Sequence, residues 1–266
     1  VKKITLDIDF VFRNVQNTSL VFVNKFTSLS FSSANIKNSN FDKLASRLNK
    51  VLIKRATSNI KLIDLEKVLI NIGVNKALDL RYYYSSKALY TVSFFKKYVE
   101  FIRPFIVSAN GLSKKAIIFD CDNTIWGGIL GEDGFNGISM STRTPSGSIF
   151  SEIQAIALSL RKQGVLIGLC SKNNYGDVID VMRNHPDMQL KERHVSIMKI
   201  NWEDKVTNLK EIAKDLSIGL DSMVFIDDSP FEVNLIKQKI PEVTVFQVPE
   251  NIYEYPKMLS TSTNLF

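Results

Sequence analysis

Cysteine and histidine are scarce in this chain of 266 residues, with two of each. Cys121 and Cys170 are too few for a disulfide framework, and both fall at the ends of expected strands, a pattern of reduced thiols. His185 and His194 leave little material for a histidine-based zinc site or a Ser-His-Asp triad. Long apolar runs are missing as well: no stretch approaches the roughly 18 uncharged residues of a membrane span. The opening Val1-Lys2-Lys3-Ile4-Thr5-Leu6-Asp7 lacks the apolar core of a signal peptide. These absences lead to the expectation of a cytoplasmic protein with no membrane partner. Nucleic acid is not expected as a partner either, because the basic residues are scattered and form no binding motif.

The composition is that of a globular protein, 45% apolar and 23% charged. The net charge of +7 hides a division: residues 1–115 carry 20 Lys+Arg against 7 Asp+Glu, and residues 116–266 carry 14 against 20. The basic first part is either a solvated lysine-rich surface or a face that steers an acidic partner. A break in composition near Asn110-Gly111-Leu112-Ser113-Lys114-Lys115 divides the chain into residues 1–112 and 113–266. In the first region, residues 19–23 and 60–65 read as strands. Phe41 to Arg55 and Tyr90 to Val107 read as amphipathic helices, the second with Pro104 as a kink or stop. Few strands are present there for a complete sheet, as expected of a segment that begins within a longer protein. The second region alternates more regularly. Strands are expected at 116–120, 165–170, 195–199, 223–227 and 243–246, and helices near 148–163, 175–184, 203–216 and 230–238. That alternation predicts an α/β fold, a doubly wound parallel sheet with helices on both faces.

Four elements at the expected strand ends carry the chemistry. The apolar run Ile117-Ile118-Phe119 stops at Asp120-Cys121-Asp122-Asn123-Thr124. A second run ends in Cys170-Ser171-Lys172-Asn173-Asn174, and Lys205 follows Asn201-Trp202 just inside a helix. The last run, Val224-Phe225-Ile226, ends in Asp227-Asp228-Ser229-Pro230. Open α/β sheets bind ligands at the carboxyl ends of their strands, and carboxylates this close repel unless a cation joins them. Phosphoryl transfer needs an in-line nucleophile and positive charge on the equatorial oxygens. Asp120 is therefore read as the nucleophile forming an aspartyl phosphate, and Asp122 as the general acid and then base. Mg2+ prefers hard oxygen ligands, which Asp120, Asp227 and the backbone carbonyl of Asp122 can supply. Ser171 and Lys205 are placed on phosphate oxygens, with Lys205 also offsetting the carboxylate charge. Thr124, Lys172 and Asn173 complete the candidate substrate-binding set, and Asp228 supports the metal from behind.

These residues, with Ser171, Lys205 and Asp227 following Asp120 in order, resemble the haloacid dehalogenase (HAD) superfamily of phosphatases. Four matching elements in sequence are a strong signal, where one Asp-x-Asp would be weak. Asp122-Asn123-Thr124-Ile125-Trp126-Gly127-Gly128-Ile129-Leu130-Gly131-Glu132-Asp133-Gly134 resembles more narrowly the FkbH-like branch, subfamily IIIC. So do His185-Pro186, Asn201-Trp202 and Gly219-Leu220-Asp221-Ser222, and the likeness covers roughly residues 60–255. The lead-in Asp79 to Lys87 is similar to the segment that often closes an SGNH-hydrolase-like unit in that family. No Gly-Asp-Ser nucleophile block is present, so residues 1–112 are expected to be a remnant of such a unit or a substrate- or partner-binding region.

The resemblance implies a Mg-dependent phosphohydrolase or phosphotransferase acting on a phosphorylated small molecule or a carrier-tethered substrate. The alternative it implies is a glyceryl or acyl transferase that loads an acyl carrier protein from a phosphorylated three-carbon donor. Such loading would need a thiol, so Cys121 either forms an acyl thioester or is packed away. The segment between Thr124 and Phe150 is Gly-rich and too short for a folded cap, so the site is expected to be open under a loop or hairpin around Trp126 to Ser148. On this reading Trp126 either stacks on substrate or anchors that loop, and Trp202 packs to fix the helix of Lys205.

Overall fold

The run Ala116-Ile117-Ile118-Phe119 forms a strand whose four residues are all buried, as its unbroken apolar character predicts for a strand covered on both faces. The computed structural model describes residues 2–29, 40–262 and 265–266, which divide into two compact units, Val1–Asn110 and Gly111–Phe266. In the second unit this strand, β3 (Ala116–Phe119), is the centre of a five-stranded sheet. The others are β4 (Leu166–Ser171), β5 (Ile197–Ile200), β6 (Met223–Asp227) and β7 (Thr244–Gln247). The order is β5-β4-β3-β6-β7, and every neighbouring pair is parallel. The chain runs outward from β3 through β4 to β5, then returns to the other side through β6 to β7. The order therefore reverses at β3 and β6, which makes their carboxyl ends the crevice where such sheets bind ligands.

Helices α8 (Pro145–Lys162), α9 (Tyr175–Asn184), α10 (Lys205–Asp215) and α11 (Pro230–Lys239) connect these strands, with α12 (Tyr255–Ser262) after β7. Their starts follow from local chemistry. Thr144, Asp204 and Ser229 each accept a backbone N–H of the first turn, and Pro145 and Pro230 occupy first helical positions, where no N–H is needed. One apolar cluster includes Ile117, Phe119, Trp126, Ile153, Leu169 and Tyr255; a second includes Ala116, Ile118, Leu209, Phe225 and Ile236. Alternate residues of β3 thus feed opposite layers, and each large side chain fully buried there is worth about 1.5–3 kcal/mol. Gly168 on β4 allows a close approach: a Cβ there would lie 2.5 Å from Ile118 Cδ1 and 3.0 Å from Ile197 Cγ2.

The expected strands and helices of this unit are present, with ends shifted by at most three residues. The segment after Thr124 is not a plain loop. It holds a short helix, α7 (Leu130–Gly137), interrupted at Gly134, where φ is 69°.

The first unit pairs β1 (Val21–Asn24) with β2 (Ile60–Ile63) in parallel, joined by α2 (Asn40–Arg55). Helix α6 (Val92–Ala109) runs through Pro104 and does not stop there. The proline removes the bond to the Glu100 carbonyl, and Glu100 is exposed, so water can take its place. Helices α1 (Lys2–Asn14), α3 (Leu65–Ile72), α4 (Val74–Ala77) and α5 (Leu80–Ser86) were not expected. Ile8 and Phe12 of α1 pack with Leu52 and Ile60, while Leu65, Val68 and Leu69 of α3 pack with Ile63 and Phe94. Among the described residues no helix is long and apolar enough to cross a membrane.

Candidate active site

Strand register brings two of the candidate carboxylates side by side. Phe119 lies opposite Ile226, and the next residues on those strands are Asp120 and Asp227. The Asp120 N–H donates to the Ile226 carbonyl at 2.9 Å, continuing the ladder past the end of β3. Asp227 Oδ1 accepts the Ser229 N–H at 2.8 Å. Lys205 is the first residue of α10, and its Nζ lies 2.9 Å from Asp120 Oδ1 and 2.6 Å from Asp227 Oδ2. All three are buried, at 5% exposure for Asp120, 4% for Lys205 and 0% for Asp227. An ammonium between two carboxylates with little water is costly to assemble unless each charge finds a partner.

The charges do not balance within the protein. Asp228 joins Asp120 and Asp227 in a group whose carboxylate oxygens lie within 4.8 Å of one another, so three carboxylates face one ammonium. Burial pushes the Asp120 carboxyl up to about 7; Lys205 opposes this and the charge of Asp227 reinforces it. Burial and then the Asp227 charge also hold Asp228 above the usual carboxylate range. Lys205 is raised above the ordinary lysine range, because the charges of Asp120 and Asp227 outweigh the opposing effect of burial. Excess negative charge on hard oxygen donors, gathered within one ion's reach, fits a divalent cation of the Mg2+ class. The carboxylate of Asp228 belongs to this group directly, closer in than the supporting position expected for it.

Asp122 lies in the turn beyond β3, and its carboxylate is held from three sides. Oδ1 accepts Trp126 Nε1 at 2.9 Å and the Leu130 N–H at 3.0 Å, and Oδ2 accepts Asn173 Nδ2 at 2.8 Å. The turn is closed by Asn123, whose φ of 50° is the left-handed region that asparagine tolerates. Its Oδ1 accepts the Gly128 N–H at 2.9 Å. Trp126 is fully buried in the core. The role of Trp126 as a hydrogen-bond donor was not anticipated; its position four residues after Asp122 was the only local signal.

Ser171, the last residue of β4, and Asn173 are buried beside this group, and Asn173 Nδ2 also donates to Ser171 Oγ at 3.2 Å. Thr124 is buried, and its Oγ1 has no hydrogen-bond partner among the described residues. Lys172 Nζ pairs with Glu232 Oε1 at 2.7 Å, so its ammonium is tied to α11. Glu232 is not singled out by the sequence. Cys121 is fully buried, and burial pushes its thiol well above the ordinary range, the neighbouring Asp120 charge adding to the effect. Trp202 is the clearest departure from expectation. It does not pack but is 71% exposed, with its Nε1 donating to Asn174 Oδ1 at 3.3 Å. The fixing of Lys205 comes instead from the Asp204 cap and the Phe225 ring, 5.8 Å beneath the ammonium.

Among solved structures, the N-terminal part of a Bacteroides fragilis protein containing a phosphatase domain, complexed with Mg, is 32% identical to this chain. The match covers 99% of this chain and 72% of that one, with a TM-score of 0.78. The chain belongs to the HAD superfamily of phosphatases. Weaker likenesses include a HAD family enzyme of Bacteroides thetaiotaomicron in complex with magnesium and inorganic phosphate (13% identity, 52% of this chain and 96% of that one, TM-score 0.36). Another is the 3-deoxy-D-manno-octulosonate 8-phosphate phosphatase of Moraxella catarrhalis (15% identity, 57% and 89%, TM-score 0.33). No protein-family model and no curated protein matches the sequence.

Proposed function

We propose that this HAD phosphatase cleaves a phosphate monoester through an aspartyl phosphate on Asp120. The reading is carried by one observation: a buried Asp120 held 2.9 Å from Lys205 at the switch point of the sheet. An Asp120 oxygen attacks phosphorus, and the electron pair of the breaking P–O bond passes to the leaving oxygen, which takes a proton from Asp122. Asp122 then accepts a proton from the attacking water, whose oxygen bonds to phosphorus as the bond to Asp120 breaks. Lys205 and Ser171 bind the phosphoryl oxygens where charge is greatest. Asp120, Asp227, Asp228 and the backbone carbonyl of Asp122 would hold Mg2+, which when bound supplies charge stabilisation of the phosphoryl group.

The finer resemblance of residues 122–134 to the FkbH-like branch adds a phosphorylated three-carbon unit to the candidate substrates. Loading of a carrier protein through Cys121 would require a fully buried thiol to leave the core, so hydrolysis or transfer to an oxygen acceptor is the reading carried forward. Replacing Asp120 tests the mechanism. Asp120→Asn should lower Mg-supported turnover of p-nitrophenyl phosphate by at least about 1,000-fold. Turnover within tenfold of wild type would remove Asp120 as nucleophile.

A further inference from the structure

The three donors on Asp122 are unevenly distributed. Oδ1 accepts two N–H groups, from Trp126 Nε1 and Leu130, and Oδ2 accepts only Asn173 Nδ2. A carboxylate oxygen offers about two lone-pair sites, so Oδ1 is saturated and Oδ2 keeps one open. A proton on Oδ1 would point at two N–H hydrogens, whereas a proton on the open side of Oδ2 meets no such opposition. Both donors on Oδ1 are fixed by the fold. The Trp126 indole is fully buried in the core with Ile125, Leu130, Met140, Phe150 and Ile153, and close packing prevents rotation of so large a ring. Leu130 opens α7, and its N–H is among those that a helix leaves without an internal partner.

We infer that Trp126 is a positioning residue: together with the Leu130 N–H it saturates Oδ1 of Asp122, so that the catalytic proton is carried on Oδ2 and delivered from there to the leaving oxygen. The inference rests on the proposed role of Asp122 as general acid. It gives the tryptophan a function beyond filling the core, acting only through Asp122 and without touching substrate. In the second half-reaction the same open Oδ2 lone pair receives the proton of the attacking water.

Leaving-group dependence separates this role from simple packing. An aryl phosphate such as p-nitrophenyl phosphate expels a stable anion and gains little from a general acid, whereas an alkyl phosphate needs the proton. Trp126→Phe keeps an aromatic ring and removes the N–H. Leu130→Pro removes the other donor at a first helical position, where proline is tolerated. The preceding Ile129 already has the extended φ of −110° and ψ of 111° that a residue before proline adopts. Each variant is expected to lose on the order of 10- to 100-fold in kcat/KM on the alkyl ester, as for removal of a hydrogen bond to a charged group, and several-fold less on the aryl ester. Asp122→Asn should show the same asymmetry, larger. Equal losses on both esters in the two positioning variants, with the asymmetry kept in Asp122→Asn, would overturn the inference. No asymmetry in Asp122→Asn would instead overturn the reading of Asp122 itself. Thermal midpoints are measured alongside, and if Trp126→Phe does not fold, Leu130→Pro decides the matter.

Discussion

Binding of Mg2+ to this site should release a proton below neutral pH. Asp120, Asp227 and Asp228 share a single neutralising ammonium, and without a cation the Asp120 carboxyl is pushed up to about 7, chiefly by burial. A group with that midpoint is about 90% protonated at pH 6 and about 10% at pH 8, and a carboxylate must lose its proton to ligate a metal. Titration of MgCl2 into metal-free protein should therefore release most of a proton from Asp120 at pH 6 and much less at pH 8. The apparent affinity at pH 6 should be about tenfold below its high-pH plateau. Calorimetric titrations in two buffers of different ionisation enthalpy measure the released protons directly. The metal-free protein should show the same coupling. Because the folded carboxyl titrates above its ordinary 3.8, the folded state holds more protons than the unfolded state between about pH 4 and 7. Its stability should fall as pH rises through that window, and saturating Mg2+ should flatten the fall. Zero proton release at both pH values, with an affinity that does not change between them, would refute the charge argument.

Three further outcomes follow from the geometry. Lys205→Met leaves the carboxylates of Asp120 and Asp227 buried without the ammonium now 2.9 and 2.6 Å away. Urea unfolding without metal should show a loss of about 3–5 kcal/mol, partly recovered with Mg2+; an unchanged midpoint would mean that the cluster is not strained by its charge. Gly168→Val places a Cβ against Ile118 Cδ1 at 2.5 Å and Ile197 Cγ2 at 3.0 Å. It should destabilise by about 1–3 kcal/mol, with a normal midpoint arguing against close packing of β3, β4 and β5. If the 20 Lys+Arg against 7 Asp+Glu of residues 1–115 steer an acidic protein partner to this phosphatase, capture of such a partner should weaken steeply as salt rises; capture indifferent to salt would exclude steering.

The second unit was legible because its signals are local and agree with one another. Residues 116–119, 166–171 and 223–227 are nearly unbroken apolar runs that end in, or are followed at once by, polar residues, the mark of strands buried on both faces. Helices α10 and α11 announce their starts through Asp204 and through Ser229-Pro230. The first unit offered weaker signals. Ile4, Leu6, Ile8, Phe10 and Phe12 alternate at a period of two, which favours a strand, yet residues 2–14 form α1. The burial of Ile8 and Phe12 against Leu52 and Ile60 prevails over the alternation. Three short helices fill residues 65–86, each too short for helical periodicity to stand out from chance.

The site divides along the same line. Asp120 and Asp227 become partners once the doubly wound order is assumed, because parallel register places the residue after Phe119 beside the residue after Ile226. The proposed nucleophile and one proposed metal ligand, both fixed by backbone pairing, can thus be read from the ends of two apolar runs. Asp122 is fixed differently. Its donors come from a core indole, a helix N-terminus and the turn after β4, and nothing at the level of residue type distinguishes the tryptophan that supplies one from the tryptophan that does not. Trp126 is buried and donates to the carboxylate; Trp202, also beside a candidate catalytic residue in sequence, is 71% exposed. Burial decides which indole N–H is worth having, because a hydrogen bond shielded from water is stronger and its donor cannot turn away. Orientation of the proposed general acid is therefore a property of the packed core. It becomes visible only when the side chains around Asp122 have been placed.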